Sequence, residues 1–229
     1  MKILALDSTA ITASVAVTED EKLVAQLTLN NGNTHSQTLL PMVESLFRML
    51  GIDADGIDLF ACSAGPGSFT GVRIGAATVK GLAFGREKCC IGVSTLEALA
   101  YNMRGYRGII CPVMNARRSQ VYTAIFSSDG QTLTRLLDDS AISVAELDGM
   151  LAAYNEPIYL CGDGTDICLS GFEKACVKIA PEESRYQSGY SVAQLALALY
   201  RSGVRSTDGE LVPTYLRPSQ AERERLGLS

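Results

Sequence analysis

The sequence predicts a two-lobe α/β fold, built twice on one plan, with mixed sheets flanked by helices. Three observations predict it. Runs at 2–7, 13–18 and 22–29 are apolar or alternate apolar with polar, which reads as three strands joined by polar turns; a helix follows at 35–50. A second set at 109–114, 121–126 and 132–138 repeats that order ahead of a helix at 143–153. Each set carries a polar turn between its first two strands, Asp7-Ser8-Thr9 in one and Asn115-Ala116-Arg117-Arg118 in the other.

The elements follow in order. Apolar positions 39, 40, 43, 46, 47 and 50 recur at helical spacing along 35–50. Residues 58–64 form a strand that runs into Gly65-Pro66-Gly67-Ser68-Phe69, and a long helix covers 70–85. A buried strand at 89–93 and a short helix at 95–102 close the first cycle. In the second cycle, 157–161 is a buried strand and 190–202 an amphipathic helix. The expected boundaries are a lobe at 1–105, a shorter lobe at 106–215 and a polar tail at 216–229 lying over the surface. Strand–turn–strand–strand followed by helices, twice over, is the plan of the actin, hexokinase and Hsp70 group. A plain α/β domain with two hairpins gives a similar pattern.

Composition narrows the chemistry. The chain has 229 residues and a formal net charge of −5, which argues against a self-sufficient nucleic-acid binder. No stretch reaches the roughly 18–20 apolar residues of a membrane span. The chain opens directly on a strand with no cationic leader, so a cytoplasmic location is expected. Its 7 cysteines are odd in number, form no Cys-x-x-Cys pair, and sit mostly in apolar runs. They read as reduced, buried thiols. With 1 histidine in the chain, a histidine-based metal cage is excluded and no metal site is expected. That residue, His35, stands at a helix start, where a structural role is the plainer reading than a catalytic base.

The most specific string is Gly65-Pro66-Gly67-Ser68-Phe69-Thr70-Gly71-Val72-Arg73-Ile74-Gly75. It is a strand-to-helix junction whose glycines permit a tight turn and whose Ser68 or Thr70 can cap the helix. A helix start of this kind can hold an anion. It is not a Walker loop, because the Gly-Lys-Ser/Thr ending is missing.

This string resembles the signature of the TsaB (YeaZ) family. So do Ile3-Leu4-Ala5-Leu6-Asp7-Ser8-Thr9, His35-Ser36-Gln37-Thr38-Leu39-Leu40-Pro41, Met114-Asn115-Ala116-Arg117-Arg118-Ser119-Gln120-Val121-Tyr122 and Pro213-Thr214-Tyr215-Leu216-Arg217. The family more often reads Asp-Thr-Ser in the first turn and Asp at Asn115. The resemblance implies an actin-like fold with a ribonuclease H-like motif in each lobe. It also implies a role beside TsaD, the paralogue that transfers a threonylcarbamoyl group to adenosine next to the anticodon, with the ATPase TsaE joining them. The tRNAs concerned read codons that begin with adenine. Older naming calls the family a glycoprotease or M22 peptidase homologue.

Departures from the catalytic pattern imply a scaffold subunit with no catalytic residue. TsaD holds its metal with two histidines one helical turn apart, where this chain has Thr95 and Leu99. Asp7, Ser8, Thr9 and Asn115 are then candidates for vestigial phosphate-facing turns. Asn115 is a poorer ligand than a carboxylate for a hard dication. Cys161-Gly162-Asp163-Gly164 is a partial counterpart of the adenosine-binding turn. No cofactor is expected to bind independently; the complex uses ATP, and a nucleotide contact shared with a partner stays open. Arg117 and Arg118 contact a phosphate or an acidic partner, or form a solvated turn. The competing reading is a small ATPase or sugar-type kinase of the same fold; a metallopeptidase is disfavoured by the absent histidine pair.

The helix at 70–85 is apolar on every side, so it is buried on more than one face. Either the chain's own core or a subunit contact accounts for that. In the family, this helix and the one at 35–50 contact TsaD, or a second copy when TsaB is alone. The expected interface is Thr38, Met42, Ser45 and Met49 with Val72, Gly75, Ala76, Val79, Leu82 and Ala83. The expected partners are TsaD, TsaE, a second copy, and tRNA mainly through the complex, with no membrane.

Overall fold

The computed structural model describes residues 1–217. Strands β1 (Lys2–Asp7), β2 (Ala13–Glu19) and β3 (Lys22–Leu29) lead to helix α1 (His35–Leu50). β4 (Leu59–Gly65), α2 (Phe69–Ala83), β5 (Cys89–Ser94) and α3 (Thr95–Tyr101) follow. The second cycle is β6 (Arg107–Asn115), β7 (Gln120–Asp129), β8 (Leu133–Ser143), α4 (Val144–Leu151), β9 (Ile158–Cys161), α5 (Thr165–Gly171) and β10 (Val177–Ile179). Two helices, α6 (Glu182–Arg185) and α7 (Gly189–Arg201), come last.

The duplication is visible in the strand order. The first sheet runs β3-β2-β1-β4-β5 and the second β8-β7-β6-β9-β10. In each, two antiparallel neighbours precede two parallel ones. This is the actin-like plan twice. The period-2 alternation of strands assigns residues to layers. Leu4 and Leu6 face a core with α1 and α2, while Ile3 and Ala5 face α7 and Ala98 of α3. In the second sheet, Ile109, Cys111 and Val113 face α4 and α5, while Ile110 and Met114 face α3.

The expected lobe boundary fails at the C-terminal end. Helix α7 packs on the first sheet, with Val192, Ala193, Ala196 and Leu197 against Ile3, Ala5, Leu59 and Ala61. The chain beyond it stays there: Cys90 N donates to Ser206 O at 2.8 Å, Leu211 joins the α1–α2 core, and Thr214 N donates to Ala64 O at 2.7 Å. The second lobe therefore ends near residue 185, and 189–217 complete the first. The apolar stripe of α7 specifies a buried face without saying which sheet buries it. Of the expected tail at 216–229, Leu216 and Arg217 line a cleft between the lobes; 218–229 lie outside the described residues.

The expected interface also needs correction. Met42 of α1 and Val72, Ala76, Val79 and Ala83 of α2 are buried within the chain itself, all but Val72 in the core beneath the first sheet's outer face. Gly75 is buried against Ser8. Thr38, Ser45 and Leu82 are half-buried, and Met49 alone of the set is exposed, at 64%. The outward side of α2 is the other one, with Ala77 and Gly81 exposed, Ile74 half-buried, and Phe84 at its end 74% exposed.

The lobes share α3. Its Ala98 belongs to one core and its Leu96, Leu99 and Ala100 to another. Arg135 on β8 reaches Glu97 at 2.7 Å and Asp139 at 2.6 Å, and Ser94 donates to Asp139 at 2.5 Å. All seven cysteines are free thiols; Cys89 is half-buried, Cys176 is exposed, and the other five are buried as expected. Burial pushes the Cys62, Cys90, Cys111 and Cys168 thiols up to about 12.

A carboxylate at position 42 or 79 loses its water inside an apolar core and finds no cation there. Met42→Glu and Val79→Glu are each expected to destabilise the fold by several kcal/mol, on the order of 3–5, and to abolish the cooperative thermal transition. A cooperative melt near the wild-type temperature would place these side chains outside the core. In the native protein, Cys176 is expected to react with a thiol reagent at once and the five buried thiols only after unfolding. Rapid labelling of Cys62 or Cys161 in the folded state would contradict the packing described.

Candidate functional site

The central feature is the contact between the Ser8-Thr9 turn and the start of α2. Ser68 N donates to Thr9 O at 2.7 Å, and the Ser8 hydroxyl donates to Gly71 O at 2.9 Å. Three glycines make this approach possible. A methyl group at Gly67 would fall on Thr9, one at Gly71 on the Ser8 carbonyl oxygen, and one at Gly75 within 2.8 Å of the Ser8 hydroxyl. The small residues of α2 thus admit the chain's own turn, not a partner helix. Ser68 caps the helix, accepting from Gly71 N at 3.3 Å.

Asp7 lies beneath this contact and does not line the cleft. Its Oδ1 accepts from Thr9 N at 2.9 Å and from the Thr9 hydroxyl at 2.7 Å; its Oδ2 accepts from Ser63 at 2.5 Å. Burial pushes its carboxyl above the usual carboxylate range, against the opposite pull of the Ser63 and Thr9 hydrogen bonds. Both oxygens are therefore committed within the chain.

The cleft holds about 500 Å³. Thr9 and the Pro66–Thr70 junction form one wall, and Asn115, Arg117 and Asp163 form another. Asn115 Oδ1 accepts from Arg117 N at 2.8 Å, which turns its amide toward its own loop. Arg117, Arg118 and Ser119 have φ of 63, 54 and 54°, a left-handed run that side chains adopt at some energetic penalty. Asp163 Oδ1 accepts from Asn115 N at 3.3 Å, and burial pushes its carboxyl up. Gly162 at φ 102° turns the backbone tightly onto Val113.

The C-terminal segment straps this cleft. Tyr215 stacks on Phe69 at 4.4 Å and its hydroxyl accepts from Arg73 Nε at 2.9 Å. Arg73 also lies 3.9 Å over the Phe69 ring. Arg217 donates to Ala116 O at 3.3 Å, joining the strap to the second lobe. In the sequence Pro213–Arg217 is a family-like string with no sign of a strap beyond the two aromatics that meet, Phe69 and Tyr215.

The other sequence candidates fall as follows. Thr95 and Leu99 are both buried on α3, and Leu99 occupies the space beside Gly162. Among the described residues, no group of three or more His, Cys, Asp or Glu could hold a metal ion. His35 Nε2 donates to Ala10 O at 2.6 Å, since a carbonyl can only accept, so the ring ties α1 to the turn after β1. No helix is long and apolar enough to cross a membrane among the described residues.

Comparison with known proteins settles the kinship. The TsaB protein of Bacillus subtilis is 30% identical over 222 residues, 97% of this chain and 96% of that one. The chain belongs to the TsaB family. The Escherichia coli TsaB is 38% identical over 131 residues, 56% of each chain. A family model described as TsaD, tRNA N6-adenosine threonylcarbamoyltransferase, matches residues 24–224. The crystal structure of YeaZ from Pseudomonas aeruginosa superposes with a TM-score of 0.80 at 24% identity, over 94% of this chain and 99% of that one, which supports the fold. TsaB and TsaD share enough sequence for one model to match both, as expected for paralogues.

The pH behaviour of Asp7 tests whether its carboxylate is a working group. Its folded-state pKa is raised above the ordinary aspartate value of 3.8, so the folded state keeps this proton longer than the unfolded chain does. Stability from this group is present at low pH and declines as pH rises through the window above 3.8. Asp7→Asn keeps an acceptor for Thr9 and a donor toward Ser63 while removing the titration. The stability of Asp7→Asn relative to wild type is expected to rise between about pH 4 and about pH 7.5, measured by urea unfolding at each pH. A fall over that range would mean that a cation holds Asp7 ionised.

Proposed function

We propose that this chain is a non-catalytic subunit in the synthesis of threonylcarbamoyladenosine on tRNA, acting beside a TsaD-type transferase. One observation carries the reading: the phosphate-facing turn is filled by the chain itself. Asp7 is bonded on both oxygens, and Ser8-Thr9 sits against the glycines where a phosphate would approach α2. Actin-like enzymes hold Mg²⁺ through acidic residues on both turns; here one, Asp7, is buried with both oxygens bonded within the chain, and the other is Asn115. A coordinating histidine pair on α3 is replaced by Thr95 and Leu99. The names of the TsaB relatives support the pathway.

The remaining assignments belong to the same proposal. A TsaE-type ATPase joins the complex, tRNA is contacted mainly through it, and the tRNAs read codons beginning with adenine. The chain works in the cytoplasm, binds no cofactor on its own, and shares at most a nucleotide contact at the cleft with a partner. The TsaD contact uses the outward side of α1 and α2: Ile74, Ala77, Gly81 and Phe84 with Ser45 and Met49. The same patch, applied to itself about a twofold axis, forms a homodimer when the partner is absent.

The experiment is reconstitution. With tRNA, threonine, bicarbonate and ATP, the chain alone is expected to give no modified adenosine and no phosphate release; adding TsaD-type and TsaE-type proteins restores modification. Ala77→Glu and Phe84→Glu are expected to stay folded, become monomeric, and lose modification together with TsaD binding. Turnover of ATP by the pure chain would favour a small ATPase. Two folded variants that still dimerise and bind TsaD would remove the α1–α2 contact.

A further inference from the structure

The chain has six asparagines, and Asn31 alone is followed by glycine. It stands in the connection of residues 30–34 between β3 and α1, all of them exposed. The local geometry brings an activated carbonyl and an open nucleophile together. Asn31 Oδ1 accepts from Asn33 N at 3.1 Å, which draws electron density away from the side-chain amide carbon. The Gly32 nitrogen donates no hydrogen bond among the described residues. Gly32 lies at φ 75°, and the space that a Cβ would take there is open, so no side chain screens that nitrogen.

Elsewhere the corresponding atoms are engaged or screened. After Asn102, Met103 N donates to Ala100 O at 2.9 Å; after Asn115, Ala116 N donates to Gln120 O at 3.0 Å. Asn33 precedes Thr34, whose branched side chain crowds its own backbone nitrogen. Asn30 precedes a second asparagine and Asn155 a glutamate, so each following nitrogen has a side chain beside it. The Asp-Gly pairs at 129, 148 and 163 are closed as well. Gly130 N donates to the Ser128 hydroxyl at 3.2 Å, Gly149 lies within α4, and Gly164 N donates to Val113 O at 3.0 Å.

We propose that Asn31 is a site of spontaneous deamidation in the folded protein. The Gly32 nitrogen gives its proton to hydroxide and attacks Asn31 Cγ. A carbon–nitrogen bond forms, and the carbonyl electron pair moves onto Oδ1, where the Asn33 N–H stabilises the developing oxyanion. The pair returns as the bond to Nδ2 breaks, and Nδ2 takes a proton from water and leaves as ammonia. The cyclic succinimide then takes up water at either carbonyl. Opening at one gives aspartate; opening at the other gives isoaspartate, in which the main chain runs through the former side chain. Water enters and ammonia is lost, so the formal charge becomes one unit more negative than −5. Because ammonia departs into solvent, the change accumulates, and the loop ahead of α1 records the age of the molecule.

The test follows the purified full chain at neutral pH and body temperature, once folded and once unfolded in urea. Trypsin cuts after Lys22 and Arg48 and isolates residues 23–48, and fragment mass spectra place the conversion of amide to acid within that peptide. Asn31 in the folded protein is expected to convert within about tenfold of its rate in the unfolded chain, and ahead of every other asparagine. The rate is expected to rise in proportion to hydroxide. The product is expected to accept methyl groups from S-adenosylmethionine in the presence of a protein-isoaspartate methyltransferase. Gly32→Ala and Asn31→Gln are each expected to slow conversion at position 31 by about tenfold or more. The first screens the nitrogen, and the second forces ring closure around one more atom. If Gly32→Ala disturbs the fold, the comparison of folded with unfolded wild type decides the matter. Protection of Asn31 by folding of more than about tenfold overturns the proposal. Conversion of Asn30, Asn33 or Asn155 as fast as that of Asn31 overturns it as well, as does an unchanged rate in folded Gly32→Ala.

Discussion

The close approach of the Ser8-Thr9 turn to the start of α2 is the constraint on which the rest of the first lobe depends. It requires no side chain at Gly67 and Gly71 and leaves no room for one at Gly75. It fixes α2 across the sheet, which turns Val72, Ala76, Val79 and Ala83 inward and Ala77, Gly81 and Phe84 outward. It also places Phe69 where Tyr215 can stack. A turn that in an ATPase would face a phosphate here accepts bonds from backbone and hydroxyl groups of its own chain. The closed turn and the fixed helical face are two results of one contact.

Much of this was legible in the sequence because strand and helix periods are local. Every strand of the first lobe, and β6, β7 and β9, fell where alternation or apolar runs placed them; β8 runs on to Ser143, past its expected end at 138. The elements missed were α5, β10 and α6, of 7, 3 and 4 residues, too short to show a period. The loop before β10 is held by Asp148 of α4, which accepts from the backbone N–H of Glu173, Lys174 and Ala175 at 2.8–3.2 Å. A carboxylate acting across such a separation leaves no local signature.

The site was half legible for the same reason. The glycine string and the two polar turns announced a phosphate-type junction, and the structure brings Thr9 and Asn115 to one cleft while withdrawing Asp7 and Ser8 beneath it. What fills the junction could not be read, because Gly71 and Gly75 fit a partner helix as well as a turn from β1. The buried and outward faces of α2 were exchanged because the helix is apolar all round; periodicity gives an axis for such a helix but no direction.

The return of α7 to the first sheet has a consequence for synthesis. β1 leaves the ribosome before α7, yet the side of it formed by Ile3 and Ala5 is covered by Val192, Ala193 and Ala196. While the second lobe is translated, that half of the first sheet lacks the cover of α7, an aggregation-prone condition for a nascent protein. The second lobe, whose strands and helices are contiguous between β6 and α6, can close as soon as it emerges. The lobe begun earlier is thus completed later, and Ile3 and Ala5 wait for α7 before they are shielded from other nascent chains and from holdase chaperones.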